Sequence, residues 1–412
     1  MEKEKLDTIH IHAPYIQHRD SKTRLCADID FKGETKSVWF EVDNEYGQYL
    51  CYERSDAFLI GLLNFSMREH CDIQCDTPVT SQLLYQIRTY LLPSLADNSR
   101  VLYETRIIAD ADNTELPCAG GVGTGISCGI DSLHVLKNYT NSAYPELNLT
   151  HLVLNNVGSF GDPQLHQYEW HSDLVRRFAK EYGYKLILTN SNIAQAFPQN
   201  HFLTTTYTAC FAIYALRKLW TTYFYASSGE TFQETFSLKD SEDLCSEDYD
   251  LLSLDTFSVR NLKIYSEGGA IRRFEKTQAL LNYTPAHKYL HVCTSDCGPN
   301  CGHCPKCLRT LLTLDVLGSL DKFTAVFDIK DYKRSRAKNL RWLYWDHINP
   351  HRDIMLDPVY TKLKTKMPWY KRILWRIENT LNQCYKKMSH IHWMFKIVHP
   401  VKDFLRAKSI IK

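Results

Sequence analysis

From residue 118 onward the chain alternates short apolar runs with longer stretches of helical periodicity, and this rhythm restricts its architecture more than any other feature. "GVGTGIS" reads as a glycine-rich strand, "SLHVLKNY" as a helix and "LTHLVLNNV" as a strand. "HQYEWHSDLVRRFAKEYG" reads as a helix ending at Gly183, "YKLILTN" as a strand, "TYTACFAIYALRKL" as a helix and "WTTYFYASSG" as a further strand. Strands separated by helices of this length imply βαβ units, because a parallel neighbour is reached only by a crossover that carries the chain back along the sheet. The expected fold class is therefore α/β with a parallel, Rossmann-like sheet, and ligands of such sheets bind beyond the carboxyl ends of the strands.

Before residue 118 the pattern differs. "KSVWFEVD" alternates Val38, Phe40 and Val42 with outward residues, and "TRLCADIDF" and "VLYETRIIAD" also read as strands. One helix is expected after Ser55, as "DAFLIGLLNFSMRE". A second is expected with Thr77 as its cap and Pro78 in its first turn, running through Leu83, Leu84 and Ile87. The division expected is an α+β module over residues 1–117, carrying no legible chemistry, an α/β domain over 118–320, and a helical, basic extension over 321–412.

The formal charge of +2 conceals an asymmetry: residues 331–412 hold 19 Lys and Arg against 6 Asp and Glu, or +13, which leaves −11 for residues 1–330. The extension is a candidate surface for a macromolecular anion. Alternatively it is a coat, with "PWYKRILWRIENTLNQCYKKM" turning an apolar side inward and a basic side outward. The acidic run "DSEDLCSEDYDLLSLD" is expected to be a solvated flap, with a loop that selects a basic partner as the alternative. No apolar stretch reaches the roughly 18 residues of a spanning helix, and no secretory signal pattern opens the chain. A soluble, cytoplasmic protein is expected, with its thiols reduced.

"TGISCGIDSLHVL", residues 124–136, lies at the end of the first strand of the α/β segment. Small residues at Ser127, Cys128 and Gly129 allow backbone N–H groups and the positive end of the next helix to face an anion, and phosphate is the usual occupant. Ser127 and Ser132 add hydroxyl donors, while Asp131 is expected to orient a magnesium ion bridging the phosphates. An ordinary tight turn with a serine cap is the plain alternative. The loop lacks the Gly-Lys-Ser/Thr of a Walker motif and the ribose-binding acid of a dinucleotide fingerprint.

Five of the fourteen cysteines fall between Cys293 and Cys307. Cys301, Cys304 and Cys307 form a C-x2-C-x2-C array, and with Cys293 or Cys297 nearby they suit a closed tetrahedral zinc site, with redox cysteines or an iron–sulfur cluster as the alternatives. His303 adjoins Cys304, so the two cannot easily face one ion, and sulfur ligation is preferred.

"SCGIDS", residues 127–132, resembles the Ser-Gly-Gly-x-Asp-Ser loop of the PP-loop ATP pyrophosphatases, of adenine nucleotide alpha hydrolase-like fold, departing at Cys128, where that pattern prefers Gly. Together with Cys293 followed by "CGHCPKC", it resembles the branch of 7-cyano-7-deazaguanine (preQ0) synthases of queuosine precursor synthesis. The resemblance spans roughly residues 118–315. It implies zinc on Cys293, Cys301, Cys304 and Cys307. It also implies ATP with Mg2+ on Ser127, Cys128, Gly129, Ile130, Asp131 and Ser132, and base or nucleotide contacts at Leu154 and Gly158 of "LVLNNVG" and at Gly229 of "YASSGE". Lys276 of "GGAIRRFEKTQALL" is implied as a phosphate contact, catalytic together with Asp131 and Ser132. The implied activity is an AMP- and pyrophosphate-forming C–N ligase that adenylates a carboxylate, expected to be a deazapurine carboxylate, and then forms an amide or nitrile. The wider family includes members in anti-phage defence, so a protein or nucleic-acid substrate is a further option. Two other classes are carried: a PP-loop enzyme modifying tRNA or another nucleic acid, and a non-catalytic, zinc-containing nucleic-acid-binding protein.

Overall fold

The strands follow the expected alternation and then exceed it. In chain order they are β1 (Thr8–Ile11), β2 (Tyr15–Arg19), β3 (Lys22–Phe31), β4 (Glu34–Asp43), β5 (Asp72–Cys75), β6 (Val79–Thr80), β7 (Ile107–Ile108), β8 (Ala111–Asp112), β9 (Gly121–Gly125), β10 (His151–Asn156), β11 (Lys185–Ser191), β12 (Trp220–Ala226) and β13 (Lys263–Glu267). The computed structural model describes residues 6–160, 165–227, 231–236, 244–294 and 298–388. The chain divides into two units, Met1–His291 with Asp296–Gly298, and Val292–Ser295 with Pro299–Lys412.

In the first unit one sheet runs β13-β12-β9-β10-β11-β4-β3-β1-β5-β7, with β2 added to β3, while β6 and β8 pair only with each other. The five strands from β13 to β11 are mutually parallel. Three helices make the crossovers that the sequence periodicity requires: α2 (Ile130–Tyr139), α3 (Leu165–Tyr182) and α4 (His201–Ala215), with α1 (Asp56–Glu69) preceding them. From β9 the chain moves outward through β10 to β11, then returns to place β12 on the other side of β9. The reversal makes the β9/β12 boundary a topological switch point, where the loops leaving two neighbouring strands diverge and open a crevice.

The break expected near Pro117 does not interrupt the sheet. β11 pairs antiparallel with β4 through Asn190↔Glu41 and Ser191↔Phe40. Val38, Phe40 and Val42 are wholly buried, and the ring of Phe40 meets Phe211 of α4 edge-on at 5.7 Å, so the N-terminal strands share one core with the parallel half. Two local expectations also change. The helix expected from Thr77 starts at Ser81 instead, because Val79 and Thr80 pair with Ala111 and Asp112 and the Asp56 carboxylate accepts from the Thr80 N–H at 2.7 Å. Of "VLYETRIIAD" only Ile107 and Ile108 pair as a strand. The glycines of β9 have a packing cause: a Cβ on Gly123 would lie 2.6 Å from the fully buried ring of Trp220.

The second unit takes in the cysteine segment and residues 305–316, which the sequence division assigned to the α/β domain, and its longer helices are α6 (Pro305–Val316), α7 (Arg336–His347) and α8 (Trp369–Met388); α5 (Arg273–Ala279) belongs to the first unit. α8 leaves Lys371 and Arg376 exposed, as a coat would, but does not turn its apolar side inward. Trp369, Tyr370, Ile373, Leu374 and Ile377 are exposed, whereas the inward positions hold Trp375 and Glu378. Glu378 accepts from Arg341 of α7 at 3.0 Å, and the Trp345 indole donates to the Trp375 carbonyl at 2.7 Å. The buried ion pair and indole contact orient the helix, and its apolar stripe is left facing outward. Among the described residues no helix is long and apolar enough to cross a membrane.

Candidate functional site

The loop between β9 and α2 sits at the switch point. Cys128 adopts φ 57°, in the left-handed region where a glycine is at ease, and its thiol is wholly buried, which pushes it up to about 12. The strained residue turns the chain so that Gly129 caps α2. The His291 N–H donates to the Cys128 carbonyl at 2.9 Å, and the Ser132 hydroxyl donates to the Gly129 carbonyl at 3.2 Å, which holds the turn. Ser127 Oγ lies 3.4 Å from Ser132 Oγ, so the two hydroxyls form a pair at the helix entrance.

Asp131, in the first turn of α2, is enclosed by cations. Lys276 Nζ lies 3.1 Å from Asp131 Oδ1, and Arg273 Nη1 lies 3.1 Å from Oδ2. Burial works against the carboxylate's charge, but Arg273 and Lys276 outweigh it and hold Asp131 below the ordinary range. Arg273 and Lys276 stand three residues apart on α5 and so reach from one face of that helix. Lys276 is itself 3% exposed and also donates to the Ser227 carbonyl at 2.5 Å. Gly268 makes room for it: with φ 82° and a hypothetical Cβ only 2.9 Å from Lys276 Cε, no larger residue fits there unchanged.

A cavity of 330 Å³ opens at the carboxyl ends of β9, β10 and β12. Ser127, Asp131 and Ser132 form one wall, Val153 and Leu154 a second, Tyr223 and Tyr225 a third, and Thr205, Thr208 and Glu247 close it. Its size, apolar walls and few convergent polar groups are those of a small-molecule site. Near it, Asp250 is 3% exposed. Ser266 Oγ donates to one of its oxygens at 3.0 Å, while the other has no hydrogen-bond partner among the described residues. Burial, with Glu247 adding to it, pushes Asp250 up to about 6 against the pull of the Ser227 and Ser266 hydroxyls and Lys276.

The residues expected at the site divide into groups. Ser127, Asp131, Ser132 and Leu154 line the cavity. Cys128 and Ile130 are buried behind the loop and shape it, as does Gly129. Gly158 follows β10 between the lining residues Val157 and Ser159. Lys276 is held by Asp131 and Ser227 behind the cavity wall. Gly229 lies outside the described residues. Arg273, Thr205 and Glu247 were not anticipated. Arg273 had a legible signal, its i,i+3 spacing from Lys276, whereas Glu247 was hidden in an acidic run whose described part turns inward. With both Asp131 oxygens engaged by cations, this donor set does not fit a bare magnesium ion without displacing one of them.

In the second unit Cys293, Cys301, Cys304 and Cys307 converge. Cys293 Sγ lies 4.0 Å from Cys304 Sγ, and Cys301 Sγ lies 4.0 Å from Cys307 Sγ. A tetrahedron with metal–sulfur bonds of about 2.3 Å has edges of about 3.8 Å, so the four sulfurs fit one zinc ion. Backbone N–H groups of His303 and Cys304 point at Cys301 Sγ at 3.4 and 3.3 Å, and that of Cys307 points at Cys304 Sγ at 3.5 Å, a pattern that stabilises thiolates. Pro305 begins α6 directly after Cys304, which brings Cys307 round to the same point. Cys297 lies outside the described residues. No protein-family model, curated protein or solved structure matches the chain.

Proposed function

We propose that the chain is an ATP-dependent, AMP- and pyrophosphate-forming C–N ligase that activates a carboxylate, as the 7-cyano-7-deazaguanine synthases do. The observation that carries this reading is the meeting of the Ser127–Ser132 loop, the N-terminus of α2 and a 330 Å³ cavity at the switch point of a parallel sheet. In this reading a carboxylate oxygen attacks the α-phosphorus of ATP, the bond to the α,β-bridging oxygen breaks, and pyrophosphate leaves. Ammonia then attacks the acyl carbon, AMP leaves, and an amide forms. The loop N–H groups and the Ser127 and Ser132 hydroxyls bind phosphate oxygens, and Asp131 anchors Lys276 and Arg273 behind the wall that the phosphates meet, where their positive charge favours the charge that develops. Val153, Leu154 and the two tyrosines supply an apolar wall for a base. ATP enters as its magnesium complex. Zinc on the four cysteines is structural, since four thiolates leave no open position. A specialised substrate, as in anti-phage defence, is compatible with the same chemistry.

The test is incubation of the full chain with MgATP, ammonium and deazapurine carboxylates, with tRNA as a parallel acceptor, reading nucleotide products and acceptor mass. AMP, pyrophosphate and a carboxylate converted to amide or nitrile are expected. ADP and phosphate would overturn the reading, and modification of tRNA alone would move it to nucleic-acid modification.

A further inference from the structure

The N-terminal strands carry a second group of metal-competent side chains. In β1, Ile9 and Ile11 are wholly buried, so strand alternation sends His10 and then His12 to the opposite face. β1 lies between β3, antiparallel with His10 opposite Asp30, and β5, parallel, after which the Asp76 N–H donates to the Ile11 carbonyl at 3.0 Å. Three strands in this register gather two imidazoles and two carboxylates. His10 Nε2 is 2.5 Å from Asp76 Oδ1, His12 Nδ1 is 2.9 Å from Asp76 Oδ2, and His12 Nε2 is 2.9 Å from Asp30 Oδ2. The imidazole centroids are 4.3 Å apart.

The charge balance and the geometry both favour a cation. Among the described residues neither Asp30 nor Asp76 forms an ion pair with Lys or Arg; the ion-pairing partners of each are histidines. Both nitrogens of His12 face carboxylates, so in the metal-free geometry a proton bridges His12 Nε2 and Asp30; a divalent ion that takes the place of that proton leaves the imidazoles neutral and balances both carboxylates. Single ligand atoms of His10, His12 and Asp30 all lie within 4.8 Å of one another, near enough for small side-chain rotations to bring all three onto one ion. Asp76 then has the role that carboxylates commonly take behind metal-bound histidines: by accepting from His12 Nδ1 it leaves Nε2 to the ion, and by accepting from His10 Nε2 it leaves Nδ1. Thr35 Oγ1 steadies Asp30 from behind at 2.5 Å. Two imidazoles and a carboxylate suit zinc or a similar imidazole-binding metal better than calcium or magnesium, whose ligands are oxygens.

We propose that His10, His12 and Asp30 form a divalent-metal site of zinc type, oriented by Asp76, in addition to the four-cysteine centre. Three protein ligands leave a tetrahedral position to water, and the side chains are 30–44% exposed, so solvent or a ligand reaches it.

The test is a Co2+ titration of the full chain, first stripped of metal and refilled with one equivalent. That equivalent should give the intense near-ultraviolet thiolate band of the four-cysteine centre. A second equivalent should add only weak visible bands with no further thiolate absorption. In His12→Gln and Asp30→Asn the second event should disappear while the first persists, and Asp76→Asn should weaken it about 10- to 100-fold. Circular dichroism checks that the variants are folded, and the His10→Gln variant serves if either fails. Saturation at one equivalent in the wild-type chain, or a second event that survives His12→Gln or His10→Gln in folded protein, would overturn the proposal.

Discussion

Asp131 and Asp250 are two carboxylates removed from water in the same unit, both within the influence of Lys276, and they are displaced in opposite directions. Asp131 touches an ammonium and a guanidinium at 3.1 Å each and is held below the ordinary range. Asp250 has a hydroxyl donor on one oxygen, Glu247 as an unfavourable neighbour and, among the described residues, no cation in contact, and it is pushed up to about 6. Burial opposes the charge of both. The sign of the result is decided by whether a cation is in contact, and the contrast separates a charge used to hold other charges from one that the fold keeps partly neutral.

The largest effect expected from breaking this contrast is that of Asp131→Asn. It leaves Lys276 and Arg273, 3% and 17% exposed, without their carboxylate. A loss of about 3–5 kcal/mol in urea unfolding near neutral pH is expected, as for one half of a buried pair. From the sequence the position looks like an exposed strand end where only a charge would be lost; its burial between two cations makes it structural as well. A loss below about 1 kcal/mol would mean that solvent already carries those cations. The pH dependence follows: Asp131 contributes stability above its unfolded value of 3.8, and the contribution is lost as pH falls through its lowered folded value.

Asp250→Asn should act in the other direction. Its folded value of about 6 against 3.8 unfolded means that the native state binds the proton more tightly, so stability declines as pH rises from about 4 to about 6 and is level above. The shift corresponds to at most about 3 kcal/mol. The asparagine variant should therefore gain about 1–3 kcal/mol near pH 7.5 and close to nothing near pH 4, measured by unfolding at both. A loss near pH 7.5 would show that the charged form makes an interaction the fold needs. The smallest effect belongs to Glu247→Gln. Removing that neighbouring charge should move the Asp250 transition downward by a fraction of a pH unit, read from the midpoint of the stability profile, with the Thr205 hydroxyl keeping its acceptor. An unmoved midpoint would assign the Asp250 shift to burial alone.

Much of the frame was legible because it depends on neighbours in sequence. α1 occupies the residues read for it, β10 and β12 lie within the runs that alternation marked, and β11 passes the end of its run by Ser191 alone, since periodic apolar residues identify a buried face wherever it packs. The four-cysteine cluster was legible for a similar reason: three of its sulfurs fall within seven residues, and a short chain can close on one point only in a few ways. β13 escaped notice because an edge strand buries little, and only Ile264 of its five residues is buried. The apolar stripe of α8 stays exposed where burial was expected, because periodicity marks such a stripe without saying what it meets, and Glu378 claims Arg341 from a different helix.

The chain's local order thus determined the α/β alternation, the small-residue loop and the sulfur cluster, all of which arise within a few turns of backbone. Tertiary structure alone decided which residues confront one another across long separations. Asp131 meets Lys276 from 145 residues away, His12 meets Asp76 from 64, and β4 meets β11 across about 150. Such contacts depend on sheet register and crossover order, which periodicity leaves open, because the free energy that selects them comes from burying distant surfaces and pairing distant charges together.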